Sequence, residues 1–168
     1  MTFKEDITLM IQKQKELDQL KFAKAKLKEY PLDEMNCALF CELGELLQEV
    51  PTLFKYWKKS AVNNLEKALE EYVDCVHVLL SLYIHDSKDE HNFPFHILGY
   101  DGLMSEQFYN TFSPVQLPLT VGNQYASIKI RFAKLWAIGK HLNFTWEQVY
   151  EAYMKKNAVN IERAKGDY

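Results

Sequence analysis

Two pairs of acidic residues, each set in an otherwise apolar stretch, constrain the fold of this 168-residue chain more than any other feature. Glu42 and Glu45 lie in CELGELLQEV, and Glu71 and Asp74 lie in EEYVDCVHVLL. The members of each pair are three residues apart, so on a helix both carboxylates project from the same face. Ionised carboxylates are costly to bury without partners. If the pairs face each other, they predict a site for a hard divalent cation, Mg²⁺ or Mn²⁺.

Apolar residues recur at helical spacing along most of the chain, which predicts an all-α protein, a bundle of about five main helices. The first three helices are expected from Thr2 to about Leu27, from about Leu32 to Glu49, and from about Asn64 to His85. A fourth periodic stretch is NQYASIKIRFAKLWAIGKHL. The start of the last helix is marked by a capping box, Thr145 with Gln148 three residues later.

Residues 86–122 interrupt this pattern, because neither a helical nor a strand period persists across them. The segment is rich in proline, glycine and aromatic residues, and it is too long for a passive loop in a compact domain. We therefore expect a single domain of residues 1–168 with a partly ordered, mobile insert at about 86–122. His91 and His96 lack the spacing of a known zinc site, so a zinc centre in the insert is not expected.

Composition excludes several classes of function. The net charge of −3 argues against a general nucleic-acid binder, since such proteins are usually strongly basic. No run of 18 apolar residues is present, and the charged N-terminal stretch has no signal-peptide pattern, so neither a membrane span nor secretion is expected. Three cysteines without a CxxC pair indicate reduced thiols and a cytoplasmic protein. We expect Cys37 and Cys41 to be small buried hydrophobic residues.

Three further features provide candidate binding groups. The last helix aligns Lys156, Asn160 and Arg163 at intervals of four and three residues, a row of cations and an amide that suits phosphate oxygens. Gln14 lies within or beside the apolar stripe of the first helix, either as a residue at the edge of the stripe or as a group aimed into a pocket. Trp57 lies among aromatic and lysine residues in TLFKYWKKS, which is either an amphipathic turn over the core or a surface for a nucleobase.

These groups together predict the hydrolysis of a phosphoanhydride. A metal between carboxylates and phosphate oxygens neutralises charge, and it lowers the pKa of a bound water molecule. One carboxylate can then accept the proton of that water. The chain has no glycine-rich P-loop, so a helical scaffold would have to perform this chemistry.

Four stretches resemble the dimeric, all-α dUTP pyrophosphatases (dUTPases), part of the all-α nucleoside triphosphate pyrophosphatase superfamily that includes MazG-like proteins. The stretches are QKELD at 14–18, ELGE at 42–45 leading into FKYWK at 54–58, EEYVD at 70–74, and YMKKNAVNIERAKGDY at 153–168. The two acidic motifs match the ExxE…ExxD signature of the superfamily. The C-terminal pattern K-x3-N-x2-R-x4-Y makes the resemblance more specific.

This resemblance implies Mg²⁺-dependent hydrolysis of dUTP to dUMP and pyrophosphate, which limits uracil incorporation into DNA. It also implies a homodimer that binds dUTP or dUDP-type nucleotides and no nucleic acid directly. The implied metal ligands are Glu42, Glu45, Glu71 and Asp74, and a glutamate of the first pair, preferably Glu45, would activate water. The implied phosphate-binding residues are Lys156, Asn160, Arg163 and Tyr168. Gln14 and Trp57 would line the uracil pocket.

The chain departs from its relatives at two positions, and three alternatives remain open. Gln48 and Asp18 stand where relatives often have Asn, which bears on hydrogen bonding near the metal and on base recognition. A MazG-like or dCTP-directed pyrophosphatase would keep the carboxylates and change the base pocket. A ferritin-like di-metal protein would use His77, but that fold needs ExxH on two helices. A helical dimer that acts as an interaction or regulatory protein would leave the carboxylates unexplained.

Overall fold

The computed structural model describes residues 2–86, 99–124 and 126–166, and within these ranges the chain is helical with no strand. The described part of the chain forms seven α-helices: α1 (Phe3–Ala25), α2 (Leu32–Glu49), α3 (Leu65–Asp86), α4 (Leu103–Thr111), α5 (Gln116–Val121), α6 (Ile128–His141) and α7 (Trp146–Lys165). A short 3₁₀ helix, Pro51–Leu53, follows α2. None of these helices is long and apolar enough to cross a membrane. The prediction of an all-α fold with five main helices is confirmed.

Local sequence signals explain where the long helices begin and end. The predicted capping box is present at α7, where the Thr145 side chain accepts from the backbone N–H of Gln148 and the Gln148 side chain accepts from that of Thr145. A second capping box, formed by Thr2 and Glu5, begins α1. Helix α1 ends at Lys26, whose φ of 53° is left-handed. The predicted limits of the first three helices therefore agree closely with the structure.

The insert contains two helices that the sequence analysis did not predict, α4 and α5. They have nine and six residues, too few turns for a helical period to stand out, and α5 contains Pro118. Both pack against α6, so this half of the insert belongs to the folded domain. Residues 87–98, with His91 and His96, lie outside the described ranges, and the expected mobility of the insert stays a prediction.

Helix α3 is the centre of the bundle and contacts α1, α2, α6 and α7. Hydrogen bonds join Gln14 to His77 and Asp18 to Ser81, so α1 and α3 run parallel at the same offset. The fully buried apolar residues of α3 include Tyr72, Cys75, Val76, Leu79 and Leu80. Because these residues surround the second acidic pair, the carboxylates of α3 project from a helix that is held on several sides.

The packing of α2 against α3 corrects one prediction. Cys37 and Cys41 are exposed, whereas Cys75 is buried, so the expectation that the first two are core residues is wrong. Helix α2 buries Leu39, Leu43 and Leu46. A residue two positions before a buried one points away from it by more than half a helical turn, which places both cysteines on the outer face.

Helix α6 is buried along most of its length, including two cationic residues. Arg131 donates from Nε to the Val121 carbonyl (2.7 Å) and from Nη1 to the Asn36 side-chain oxygen (2.9 Å). The Lys134 ammonium lies over the rings of Phe108 and Phe112, at 5.0 and 4.5 Å from their centroids. Burial lowers the pKa of Lys134. These contacts fasten the helices of the insert to the bundle.

Gly139 lies on α6 at the point where two buried tyrosines meet the helix. Tyr72 donates its hydroxyl hydrogen to the Leu135 carbonyl (2.9 Å), and Tyr100 donates to the Phe144 carbonyl (2.5 Å). A Cβ atom at position 139 would lie 2.6 Å from the Tyr72 hydroxyl and 2.8 Å from the Tyr100 hydroxyl. The absence of a side chain here is therefore a packing requirement.

We expect Gly139→Ala to destabilise the protein by about 1–3 kcal/mol, because the added methyl group overpacks this site. Gly44→Ala is the matched control, since nothing lies within 4 Å of a Cβ atom at that helical position. It should stabilise the protein by about 0.5–1 kcal/mol, because alanine favours the helix over glycine. Urea unfolding of both variants measures the difference, and equal effects would contradict the packing argument.

Candidate functional site

Three of the four predicted carboxylates converge between α2 and α3. One oxygen each from Glu42, Glu45 and Glu71 lies within 4.8 Å of the other two. Glu42 and Glu71 are half-buried, and Glu45 is exposed. The i, i+3 spacing on α2 puts its two glutamates on one face, and the packing of α3 against that face brings Glu71 to them. The donor set consists of oxygen atoms, which hard cations prefer.

The fourth carboxylate, Asp74, is paired with a lysine. Its Oδ2 accepts a hydrogen bond from Lys156 Nζ at 2.5 Å, and both side chains are partly buried. Asp74 is therefore not one of the three carboxylates whose oxygens lie within 4.8 Å of one another. Lys156 therefore brings a cation from α7 to the edge of the acidic cluster, a contact that the sequence did not predict.

The cluster raises the pKa of two of the acids within it, Glu42 and Glu71. Burial, followed by the negative charges of Asp74, Glu45 and Glu71, raises the pKa of Glu42 to about 7, against the opposing effect of Lys156. Burial and the same kind of repulsion also raise the pKa of Glu71. Crowded carboxylates that resist ionisation are stabilised in the charged form by a cation. The cluster can therefore hold a metal ion.

The predicted cationic row of α7 is divided between two concave regions. Asn160 and Arg163 line a cavity of about 390 Å³ between α1 and α7. Lys156 lines a second cavity of about 290 Å³ between α3 and α7, together with Glu66 and Glu70. Tyr168, the last residue of the predicted pattern, lies outside the described residues.

Gln14 is part of a buried hydrogen-bond network, and Trp57 lies on the surface. The Gln14 Nε2 donates to Asp18 Oδ1 (2.8 Å), and its Oε1 lies 2.8 Å from His77 Nδ1 and 3.1 Å from the Tyr153 hydroxyl. Trp57 is 65% exposed on the connector after α2, where its ring contacts those of Tyr56 and Phe54. Gln14 thus forms its hydrogen bonds with other side chains of the protein. Its contact with a base stays a prediction about the nucleotide-bound protein.

The network explains why an acid suits position 18. The Asp18 side chain is buried and accepts from Gln14 Nε2 on one oxygen and from Ser81 Oγ (2.8 Å) on the other. Both neighbours are donors, so a carboxylate, which only accepts, satisfies both. Because Gln14 points its amide nitrogen at Asp18, its oxygen faces His77, and His77 carries its proton on Nδ1.

The ring of His77 is neutral, and it lies outside the carboxylate cluster that the di-metal alternative would need. Burial lowers its pKa to about 3, and the charges of Lys21 and Lys156 act in the same direction. Its Nε2 is buried without a hydrogen-bond partner in the described part of the chain. His77 stacks on Tyr153 with ring centroids 4.0 Å apart and does not belong to the carboxylate cluster. A ferritin-like site is therefore not formed by these residues.

A comparison with family models decides the class of protein. A model described as dUTPase matches residues 6–168, which is nearly the whole chain. The chain belongs to the dUTPase family. It is a dUTP diphosphatase, a hydrolase of nucleotide metabolism that cleaves dUTP, and its fold is the all-α type of that family. A search of curated proteins found no match.

Sequence reasoning missed two features of this dUTPase-family site: the Lys156–Asp74 ion pair and the network around His77. The network had a recognisable signal, because Gln14 and Asp18 on α1 and His77 and Ser81 on α3 are each four residues apart. Two pairs of polar residues with helical spacing in apolar stretches are expected to be buried and to form hydrogen bonds with each other. The ion pair had no such signal, since it joins residues 82 positions apart.

The raised pKa of Glu42 predicts that the stability of the metal-free protein depends on pH. The pKa of Glu42 in the folded state, about 7, exceeds the ordinary value of 4.5, so the native state favours the protonated acid. The contribution of Glu42 to the free energy of unfolding is therefore fully present below about pH 4.5 and is lost as the pH rises through about 7. We expect a loss of about 1 kcal/mol between pH 5 and pH 8, after allowing for solvent screening of a half-buried group.

Glu42→Gln should remove this contribution, because glutamine does not titrate. Urea unfolding in EDTA at pH 5 and pH 8 gives the free energy of unfolding of both proteins. We expect the variant to gain stability relative to the wild type as the pH rises. The same stability difference at both pH values would show that the cluster does not act on Glu42.

Proposed function

We propose that the enzyme hydrolyses dUTP to dUMP and pyrophosphate in an Mg²⁺-dependent reaction, with Mn²⁺ as a substitute. The observation that carries the proposal is the convergence of Glu42, Glu45 and Glu71 oxygens within 4.8 Å of one another. An all-oxygen, multiply charged donor set fits a hard cation and does not favour a soft one. Asp74 is proposed as the fourth carboxylate, because it lies close enough to raise the pKa of Glu42.

The acidic residues differ in the part they would take in the reaction. When bound, the metal neutralises phosphate charge and lowers the pKa of an attacking water molecule. Glu45 is the exposed member of the cluster, so its carboxylate can accept a proton from water that arrives from solvent. Glu42 and Glu71, which are half-buried, would ionise at the inner side of the cluster when the metal binds.

The cationic face of α7 is proposed to bind the phosphates. Lys156 already reaches the acidic cluster through Asp74, so it lies where a phosphate beside the metal would be. Asn160 and Arg163 follow along the helix and line the cavity next to α1. The guanidinium of Arg163 can donate two parallel hydrogen bonds to phosphate oxygens. Tyr168 is proposed to close over the phosphates.

Gln14 and Trp57 are proposed to line the site for uracil. The exposed indole of Trp57 offers an aromatic face on which a base can stack. The amide of Gln14 is oriented by Asp18 and His77, so any base that reaches it meets a group of fixed orientation. Rigid polar groups of this kind discriminate between bases through the hydrogen bonds that a wrong base leaves unpaired.

Incubating the purified protein with each dNTP and measuring pyrophosphate tests the activity. We expect release from dUTP with Mg²⁺, loss of release with EDTA, and partial recovery with Mn²⁺. Equal turnover of dCTP and dUTP would contradict the assignment of uracil. Pyrophosphate release that persists in EDTA would contradict the metal site.

Glu45→Gln and Asp74→Asn should each lower kcat at least about a hundredfold, because both remove a charge from the reacting centre. Glu34→Gln is the matched control, since Glu34 is an exposed residue on α2 far along the helix from the cluster. It should leave kcat unchanged. Circular dichroism establishes that all three variants fold, and full activity of either site variant would overturn its proposed role.

We also propose that the enzyme is a homodimer. The outer face of α2 exposes an apolar stripe of Cys37, Phe40 and Cys41, and Phe40 is 56% exposed. Helical spacing makes these three residues contiguous. A contiguous apolar stripe beside the acidic cluster is more easily explained as a covered surface than as a solvated one.

Phe40→Glu should shift the protein from dimer to monomer, because it places a charge in the proposed interface. Leu103→Glu on α4 is the control, since Leu103 is 74% exposed and lies on a different element. Light scattering after size-exclusion chromatography gives the molar mass of each variant. A wild-type monomer, or a Phe40→Glu dimer of unchanged stability to dilution, would contradict the proposal.

A further inference from the structure

The cavity between α1 and α7 is lined by cations from both helices. Its lining residues are Lys21, Lys24, Ala25, Asn160, Arg163 and Ala164, and its volume is about 390 Å³. No carboxylate of the described residues lines it, although the chain as a whole carries a net charge of −3. A concave surface of this size with only positive and neutral groups is suited to a small anion.

Two of its cations, Lys21 and Arg163, are exposed and form no ion pair with the described residues. They lie on opposite walls of the cavity, on α1 and α7. Two like charges across a cavity repel each other, and an anion between them converts that repulsion into two attractions. A negatively charged group between the helices would therefore be attracted from both walls of the cavity.

Lys24 has a different part in the cavity. Its ammonium donates to the backbone carbonyl of Gly166, the residue that caps α7. This contact joins the C-terminal ends of α1 and α7 beside the cavity.

The cavity lies along the same helix face as the residues near the acidic cluster. Lys156 and Arg163 are seven residues apart on α7, which corresponds to about 10 Å along a helix. Lys21 also lies near enough to His77, as Lys156 does, for its charge to lower the pKa of that ring. His77 is three residues from Asp74 on α3. Lys156 beside Asp74 and Arg163 in the cavity are therefore close enough along one helix for their long side chains to contact one chain of phosphates.

We propose that this cavity binds the terminal phosphates of the nucleoside triphosphate, and that Lys21 of α1 is a substrate-binding residue opposite Arg163. The identity of the nucleotide rests on the proposed function. The cavity adds a binding group from the first helix to a phosphate site that the sequence places on the last helix alone. The ammonium of Lys21 binds the β- and γ-phosphates, and it does not take part in proton transfer.

Lys21→Met tests this proposal, because it removes the charge and keeps most of the side-chain length. We expect the Kd of α,β-imido-dUTP and of inorganic tripolyphosphate to rise about tenfold, as for loss of one charge-assisted hydrogen bond. The Kd of dUMP, which lacks the terminal phosphates, should stay within about twofold. In steady-state assays KM for dUTP should rise by a similar factor while kcat stays within about twofold.

Two controls separate a specific contact from general electrostatics. Lys28→Met removes the same charge from the exposed segment after α1, outside the cavity, and should leave every Kd unchanged. Lys21→Arg keeps the charge and should retain most of the affinity. Calorimetric titration measures binding directly, so it requires no turnover.

The outcomes are distinguishable. An unchanged Kd of the triphosphate analogue in Lys21→Met, or an equal loss of affinity for dUMP, would overturn the proposal even if dUTP is hydrolysed. Equal losses in Lys21→Met and Lys28→Met would overturn it as well. If the wild type fails to cleave dUTP but binds tripolyphosphate through Lys21, the function proposed above falls and the polyphosphate cavity stands.

Discussion

The site depends on the apolar packing that holds the mutually repelling carboxylates of α2 and α3 together. Glu42, Glu45 and Glu71 approach within 4.8 Å in a partly buried place, and burial makes their charges harder to screen. Without a cation, such groups tend to separate or to take up protons. The raised pKa of Glu42 shows that protonation is favoured here. They stay together because apolar packing on several sides of α3 holds the two helices in contact. The fold thus supplies the free energy that keeps a cation-binding arrangement assembled.

The packing of α1 against α3 and against α7 links the acidic cluster to a cationic edge. The network of Gln14, Asp18, His77, Ser81 and Tyr153 lies in the interior where these helices meet, and its hydrogen bonds fix the rotation of α1 relative to α3. Such a network specifies one arrangement because a shifted helix would leave its buried polar groups unsatisfied. With this rotation set, Lys21 faces the cavity that Arg163 lines from α7. Negative and positive groups therefore lie in a defined order along the molecule.

Much of the fold followed from local sequence signals, and the failures have definite physical causes. The limits of α1, α2 and α3 and the capping box at Thr145 were predicted, because caps and apolar periods act over a few residues. The short helices α4 and α5 were missed, since their stability comes from packing against α6 rather than from their own period. The predicted burial of Cys37 and Cys41 is wrong because the position of a residue around the helix, and not its type alone, decides which side chains are buried. For the candidate site, the helical spacing predicts that each helix presents two carboxylates on one face. It does not predict the distance between the carboxylates of α2 and those of α3.

By itself, the sequence determined which residues share a helix face and hence the class of chemistry: paired carboxylates, a cationic row, and the family to which the chain belongs. Only the tertiary structure decided that three carboxylates converge while Asp74 pairs with Lys156, and that Asn160 and Arg163 share a cavity with Lys21. The reason is one of range. A helix repeats every 3.6 residues, so spacing along it is readable from neighbours. Contacts between helices depend on the rotation and offset of whole elements, which the packing of the entire core settles at once.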